Sequence, residues 1–290
     1  MTMTNKTPSS PINISEIEHL AIRAGNAIMT IRDRSYDKEF KSDGSPVTEA
    51  DLTADTIINE GLIALTPNLP RITEETWQGD QNEEEPLSYW CVDPLDGTKG
   101  FINGGRDFTV NIALIHARFP VLGVIYAPAS GLLWAGGTDI DGTVSAWMRN
   151  CETPLPQLAD FTQRKPISVR KAIIDNPVIV TTKAHRSPAL ENWISTLNAS
   201  SSAAVGSSLK FCELTEGKAD LYPRIGPTME WDTAAGQAIL EAAGGIMLDA
   251  DGLRFSYGKP GRLNGPFSAM AGLDGDPPTS WIAPQRGHDG

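Results

Sequence analysis

Apolar residues recur at Ile17, Leu20, Ala21, Ala24, Ile28 and Ile31, the spacing of one helix face. Ser15 with Glu18 three residues later predicts a capping box at the start of that helix. A second helix is predicted from Thr48 to just before Pro67, and the KSDGSPV segment ahead of it reads as a polar, turn-rich loop. The period then changes. Residues 89–93 form a short apolar run closed by Pro94, and Phe108, Val110, Ile112 and Leu114 alternate as a strand does. Runs over 121–126 and 132–135 follow at hairpin-like distances. The stretch 137–177 is dense in turn residues and is expected to hold a domain junction.

The second half alternates. It predicts a strand at 178–182, helices at 189–197 and 207–216, a strand at 220–223 and a helix over 232–243 stopped by Gly244-Gly245. Strand 246–248 is expected to come last. The pattern as a whole predicts a layered α/β protein, α+β in its first part (13–150) and α/β in its second (151–270). Residues 1–12 and 271–290 read as loose termini.

Hydrophobic residues make up 40% of 290 positions, enough for a sizeable core, and the length allows two domains. The formal charge of −12 argues against a partner bound by neutralising many phosphates, so no nucleic-acid polymer is expected. Bound cations would still let an acidic site take a small anion. Cys91, Cys151 and Cys212 are odd in number and far apart, which excludes a disulfide framework and fits a reducing compartment. The polar first dozen residues lack a signal-peptide pattern, and no apolar run is long enough to span a bilayer. A soluble, cytoplasmic protein is expected, with peripheral membrane association left open.

Chemistry concentrates in Asp93-Pro94-Leu95-Asp96-Gly97-Thr98-Lys99-Gly100-Phe101. Two carboxylates lie three apart where a strand ends and a Gly-Thr turn opens a helix. Hard divalent cations take such oxygen ligands. A surface turn capped by Asp96 is the competing reading. Glu74-Glu75, Thr48-Glu49-Ala50-Asp51 and Trp231-Asp232-Thr233-Ala234-Ala235-Gly236 add acids at a strand end and two helix starts. Each alone is equally a solvated face or a cap, Asp51 above all. Asp139-Ile140-Asp141-Gly142 and Asp249-Ala250-Asp251-Gly252 echo calcium loops but lack the third acid and closing glutamate, so Asp-Gly turns explain them.

Taken together, Glu74-Glu75, the DPLDGT block and WDTAAG resemble the inositol monophosphatase superfamily, over about 14–263. The resemblance implies a layered αβαβα sandwich and a lithium-sensitive phosphatase using Mg²⁺, two or three ions per site. It implies that Glu74, Asp93 and the Leu95 carbonyl hold one ion, and that Asp93, Asp96 and Asp232 hold a second. It further implies that Thr98, paired with Asp51, activates the attacking water, and that the N–H groups of Gly97 and Thr98 cradle phosphate.

Phe108–Ile115, Gly206–Cys212 and Leu221–Arg224 resemble the CysQ-type 3′(2′),5′-bisphosphate nucleotidases. That narrows the expected substrate to adenosine 3′,5′-bisphosphate, cleaved to AMP, with His185, Ser207, Lys210 and Arg224 as nucleotide contacts. Alternatively, Lys210 and Arg224 pair with Glu213, Glu216 or Asp220, and His185 is a solvated turn residue. Gly100 stands where many bacterial members have glutamate, which weakens the branch assignment rather than the activity. Inositol monophosphate or fructose 1,6-bisphosphate are alternative substrates, and a catalytically lapsed nucleotide or metal sensor is the alternative of another class. The family often forms homodimers.

Overall fold

The computed structural model describes residues 12–34, 38–40, 46–79, 84–138, 142–151, 163–182 and 186–285. In chain order the elements are α1 (Ile14–Arg32), β1 (Lys38–Phe40), β2 (Pro46–Thr48), α2 (Glu49–Leu65), β3 (Arg71–Thr73), β4 (Ser88–Asp96), α3 (Thr98–Ile102) and β5 (Thr109–His116). Next come β6 (Phe119–Ala127), β7 (Leu132–Thr138), β8 (Val144–Asn150), β9 (Lys165–Pro166), β10 (Val178–Thr182), α4 (Pro188–Ser195) and β11 (Ser201–Val205). The chain continues with α5 (Leu209–Thr215), β12 (Leu221–Arg224), α6 (Ala234–Ala242), β13 (Ile246–Asp249) and β14 (Phe267–Met270).

Strands β3 to β9 form one sheet in sequence order, antiparallel except for the β3–β4 pair. The second sheet has the order β11-β10-β12-β14-β13. Helices α1 and α2 cover one face of the first sheet. Helix α6 lies on its other face and also packs on β13, while α5 sits beside it against β10 and β12. Helix α4 packs on β12, with Leu190, Trp193, Ile179 and Leu221 in a third core. Five layers result, αβαβα.

Both faces of the first sheet are buried, which removes the polar half of the usual alternation. Trp90, Val92, Val110 and Ile112 face α1 and α2, whereas Tyr89, Cys91, Ala113 and Ile115 face α5 and α6. The small residues of α6 are explained by this confinement. A Cβ on Gly236 would lie 2.2 Å from the Phe211 ring, and one on Gly123 of β6 would lie 2.4 Å from the Ala235 carbonyl.

Several expectations need correction. Asn13 caps α1, its side chain accepting from Ser15 N at 3.0 Å. Glu18 is fully buried instead and accepts from the Trp147 indole at 2.5 Å and from Arg164 at 3.1 Å. Pro46 and Val47, expected in a loop, belong to β2, which pairs with β1. β4 does not stop at Pro94 but runs to Asp96. β8 crosses the expected turn-rich stretch, and β11 and β14 were not anticipated, so strand 246–248 is not the last. The C-terminal stretch is not loose through 285: Trp281 and Ala283 are buried, and Trp193 donates to the Ser280 carbonyl at 2.8 Å. Residues 1–11 and 286–290 of the expected loose termini, and Asp139–Asp141, lie outside the described residues. The other Asp-Gly turn is present, with Asp249 accepting from Asp251 N and Leu253 N and Gly252 at φ +74°.

Candidate active site

β4 and β5 change register within the DPLD segment: Asp93 pairs with Asn111, and Asp96 pairs with Thr109. Three steps along β4 therefore match two along β5, a bulge that Pro94 tolerates because it has no N–H to contribute to the ladder. In a regular strand, residues three apart face opposite sides. Here Leu95 turns into the core under α1 and α2, and both carboxylates come to the face that looks toward α6. Asp232 reaches the same place from the 3-10 turn Glu230–Asp232, just ahead of α6. One carboxylate oxygen from each of Asp93, Asp96 and Asp232 lies within 4.8 Å of the others.

Each acid is held. Asp93 accepts from Leu95 N at 3.0 Å, Asp96 from Ser207 Oγ at 2.7 Å, and Asp232 from Met229 N at 2.8 Å. Burial raises the Asp93 carboxyl well above the usual carboxylate range, and Glu74, Asp96 and Asp232 push it further. Asp232 is pushed up to about 8 by burial and then by Asp96. Three mutually repelling carboxylates, Asp93 buried and Asp96 and Asp232 half-buried, fit a hard divalent cation, whose charge removes the repulsion. Glu74 stands outside the trio but follows β3, with its N–H on the Val92 carbonyl at 3.1 Å. After burial, the Glu74 carboxylate acts most strongly on Asp93.

After Asp96 the chain reverses through Gly97 at φ +94°, where a Cβ would lie 2.8 Å from the Asp107 carbonyl. Glycine is required there. Gly100 is different: a Cβ would meet that carbonyl at 3.5 Å, an ordinary contact, so a side chain at position 100 has room. Thr98 Oγ lies 3.0 Å from Asp51 Oδ1 and 3.0 Å from the Leu95 carbonyl. Asp51 Oδ2 accepts from Thr48 N at 2.8 Å and Thr48 Oγ at 2.7 Å. Asp51 thus closes the capping box of α2 with one oxygen and accepts from Thr98 with the other. Burial raises its carboxyl despite these donors.

Ser207 has a left-handed backbone, φ +52°. The buried Lys210 ammonium donates to its carbonyl and lies 3.4 Å from the Val205 carbonyl. Burial lowers Lys210 to about 8. Arg224 Nε and Nη2 donate to the carbonyls of Gly226 and Pro227 at 3.0 and 2.9 Å. The acids that could have paired with these two cations are engaged elsewhere. Asp220 binds Arg170, Glu213 and Glu216 bind Lys218, and Glu216 accepts from Trp134. His185 lies outside the described residues. Thr109, Ser208 and the Asn111 amide, which sequence patterning did not single out, complete a buried polar cluster beside Asp96.

The family model for the inositol monophosphatase family matches residues 13–273. The chain belongs to that family. Among its curated relatives, it is 41% identical over 246 residues to the 3′(2′),5′-bisphosphate nucleotidase CysQ of Escherichia coli strain K12, covering 84% of this chain and 93% of the relative. The protein of that name from Salmonella typhimurium is 42% identical over 249 residues, again covering 84% and 93%. The crystal structure of CysQ from Bacteroides thetaiotaomicron, described as a bacterial member of the inositol monophosphatase family, superposes with a TM-score of 0.73. Its identity is 33%, covering 89% of this chain and 96% of that one.

Proposed function

We propose that the protein is a Mg²⁺-dependent phosphatase that removes the 3′-phosphate of adenosine 3′,5′-bisphosphate, giving AMP and phosphate. The carrying observation is the aspartate trio, assembled from both halves of the chain, with Thr98, two residues after Asp96, hydrogen-bonded to Asp51 of α2. Asp93, Asp96 and Asp232, with Glu74 and the Leu95 carbonyl, would hold two or more ions. Bound there, Mg²⁺ supplies charge neutralisation of the phosphate, a lowered pKa for water and stabilisation of the departing alkoxide. A neutral hydroxyl is a weak base, so Thr98 needs an acceptor for its own proton, and Asp51 Oδ1 is that acceptor. The N–H groups of Gly97 and Thr98 are available to orient the scissile phosphate.

The nucleotide assignment draws on the relatives' activity and on two cations near the acidic cluster. Lys210 and Arg224 bear on Asp232 electrostatically, yet both rest their donors on backbone carbonyls rather than on a carboxylate. Arg224 is suited to take the second phosphate bidentately, with Ser207, Lys210 and His185 on the same nucleotide. A homodimer in the cytoplasm belongs to the same reading; among the described residues no helix is long and apolar enough to cross a membrane.

Phosphate release with Mg²⁺ should favour adenosine 3′,5′-bisphosphate over inositol monophosphate and fructose 1,6-bisphosphate. Arg224→Ala should cut kcat/KM for the nucleotide somewhat over tenfold, the worth of one charge-assisted hydrogen bond, and spare inositol monophosphate. Equal losses on both would return the protein to a general phosphomonoesterase. No turnover on any of the three would leave a binding protein.

A further inference from the structure

We infer that Thr109 is a positioning residue that fixes Asp96 through Ser207, tying the Ser207–Lys210 turn of the second half to Asp96 in the first; the inference rests on the metal-site reading above. Proton counting gives the direction. Ser207 has one hydroxyl proton, and a carboxylate can only accept, so that proton goes to Asp96 Oδ2 at 2.7 Å. Ser208 gives its proton to Asn111 Oδ1 at 2.7 Å. Thr109 Oγ lies 2.6 Å from Ser207 Oγ and 2.7 Å from Ser208 Oγ. Ser207 has no second proton, so the single hydroxyl proton of Thr109 goes to Ser207. The Thr109 hydroxyl, 3.0 Å from Asn111 Oδ1 as well, heads a chain that runs Thr109 to Ser207 to Asp96.

Each member is anchored on its own element. Thr109 and Asn111 stand opposite Asp96 and Asp93 in the β5 register and are fully or almost fully buried. Ser207 is held in a left-handed conformation that disfavours a non-glycine residue. The Lys210 ammonium donates to the Ser207 carbonyl. Ser207 thereby holds one oxygen of a carboxylate that has an oxygen within 4.8 Å of those of Asp93 and Asp232. Without the chain, the carboxylate can rotate away from its two like-charged neighbours.

The test is direct Mn²⁺ binding, followed by the electron paramagnetic resonance of the free ion, on wild type, Thr109→Val, Thr109→Ser and Ser207→Ala. Outer partners of a metal ligand typically carry 10–100-fold in affinity or activity. Thr109→Val should weaken Mn²⁺ by about that factor and raise the Mg²⁺ needed for half-maximal rate. KM for substrate at saturating Mg²⁺ should stay within about twofold. Thr109→Ser restores the hydroxyl and should restore binding. Combining Thr109→Val with Ser207→Ala should lose little more than either change alone, because both cut one chain. If Thr109→Val does not fold, Ser207→Ala makes the same cut one hydroxyl nearer Asp96. Unchanged Mn²⁺ binding in these variants, or a Thr109→Ser as weak as Thr109→Val, would overturn the inference alone. A wild type that takes up no Mn²⁺ would remove the metal reading and this inference with it.

Discussion

Asp96→Asn should fold normally and lose at least about 10²-fold in turnover at any Mg²⁺ concentration, since even the partners of a metal ligand carry 10–100-fold. The asparagine can keep its oxygen on the Ser207 hydroxyl, which now holds Asp96 Oδ2 at 2.7 Å. Its amide group then points at Asp93 and Asp232, where it donates hydrogen bonds in place of repelling them. In the metal-free protein this relieves strain. Burial and neighbouring carboxylates raise Asp93 and Asp232, the latter to about 8. An acid whose folded pKa is raised binds more protons folded than unfolded, so stability is lost as pH rises from the ordinary carboxylate value through the raised one. In EDTA the wild type should therefore melt lower at pH 8 than at pH 5, and Asp96→Asn should narrow that gap. Mg²⁺ should raise the wild-type melting temperature and leave the variant's almost unchanged. Near-wild-type turnover by folded Asp96→Asn would sink the two-metal reading.

The acids of this site were legible because motif spacing survives without knowledge of the backbone, but the means of their assembly was not. Asp93 and Asp96 share a face only because β4 carries a bulge, and nothing in the DPLD letters reports its register. Thr109 and Asn111 looked like the polar half of an alternating strand. In a sheet buried on both sides, those positions line the site instead. The same burial hid β14, whose four residues are all buried and give no alternation, while β11 is an edge strand of small, mostly exposed residues. The helices α1 and α2 were readable because each buries one stripe. At the start of α1, however, Ser15 and Glu18 had capping spacing but a tertiary partner won: Glu18 is drawn into the core by Trp147 and Arg164.

Asp51→Asn is expected to separate kinetics from stability more sharply than a simple cap or a simple base would. The Asp51 carboxylate accepts on both oxygens, from Thr48 N and Thr48 Oγ on Oδ2 and from Thr98 Oγ on Oδ1. An asparagine can satisfy one side alone. With its oxygen toward Thr48, the capping box keeps its acceptor, and the amide group turns to Thr98. Thr98 must then accept that N–H and give its own proton to the Leu95 carbonyl, 3.0 Å away. The hydroxyl remains in place but can no longer pass a proton to a carboxylate. General-base assistance is typically worth about 10²–10⁴-fold, so kcat should fall by that order while KM changes little. The stability change should be small. The cap, whose loss would cost about 1 kcal/mol, is kept, and removing a buried charge whose carboxyl is already raised by burial costs nothing further. Thr98→Ala should match the kcat loss without touching the cap. Measuring kcat, KM and melting temperature for both variants checks the assignment. If Asp51→Asn lowers the melting temperature and leaves kcat intact, Asp51 is a helix cap and the water is activated elsewhere.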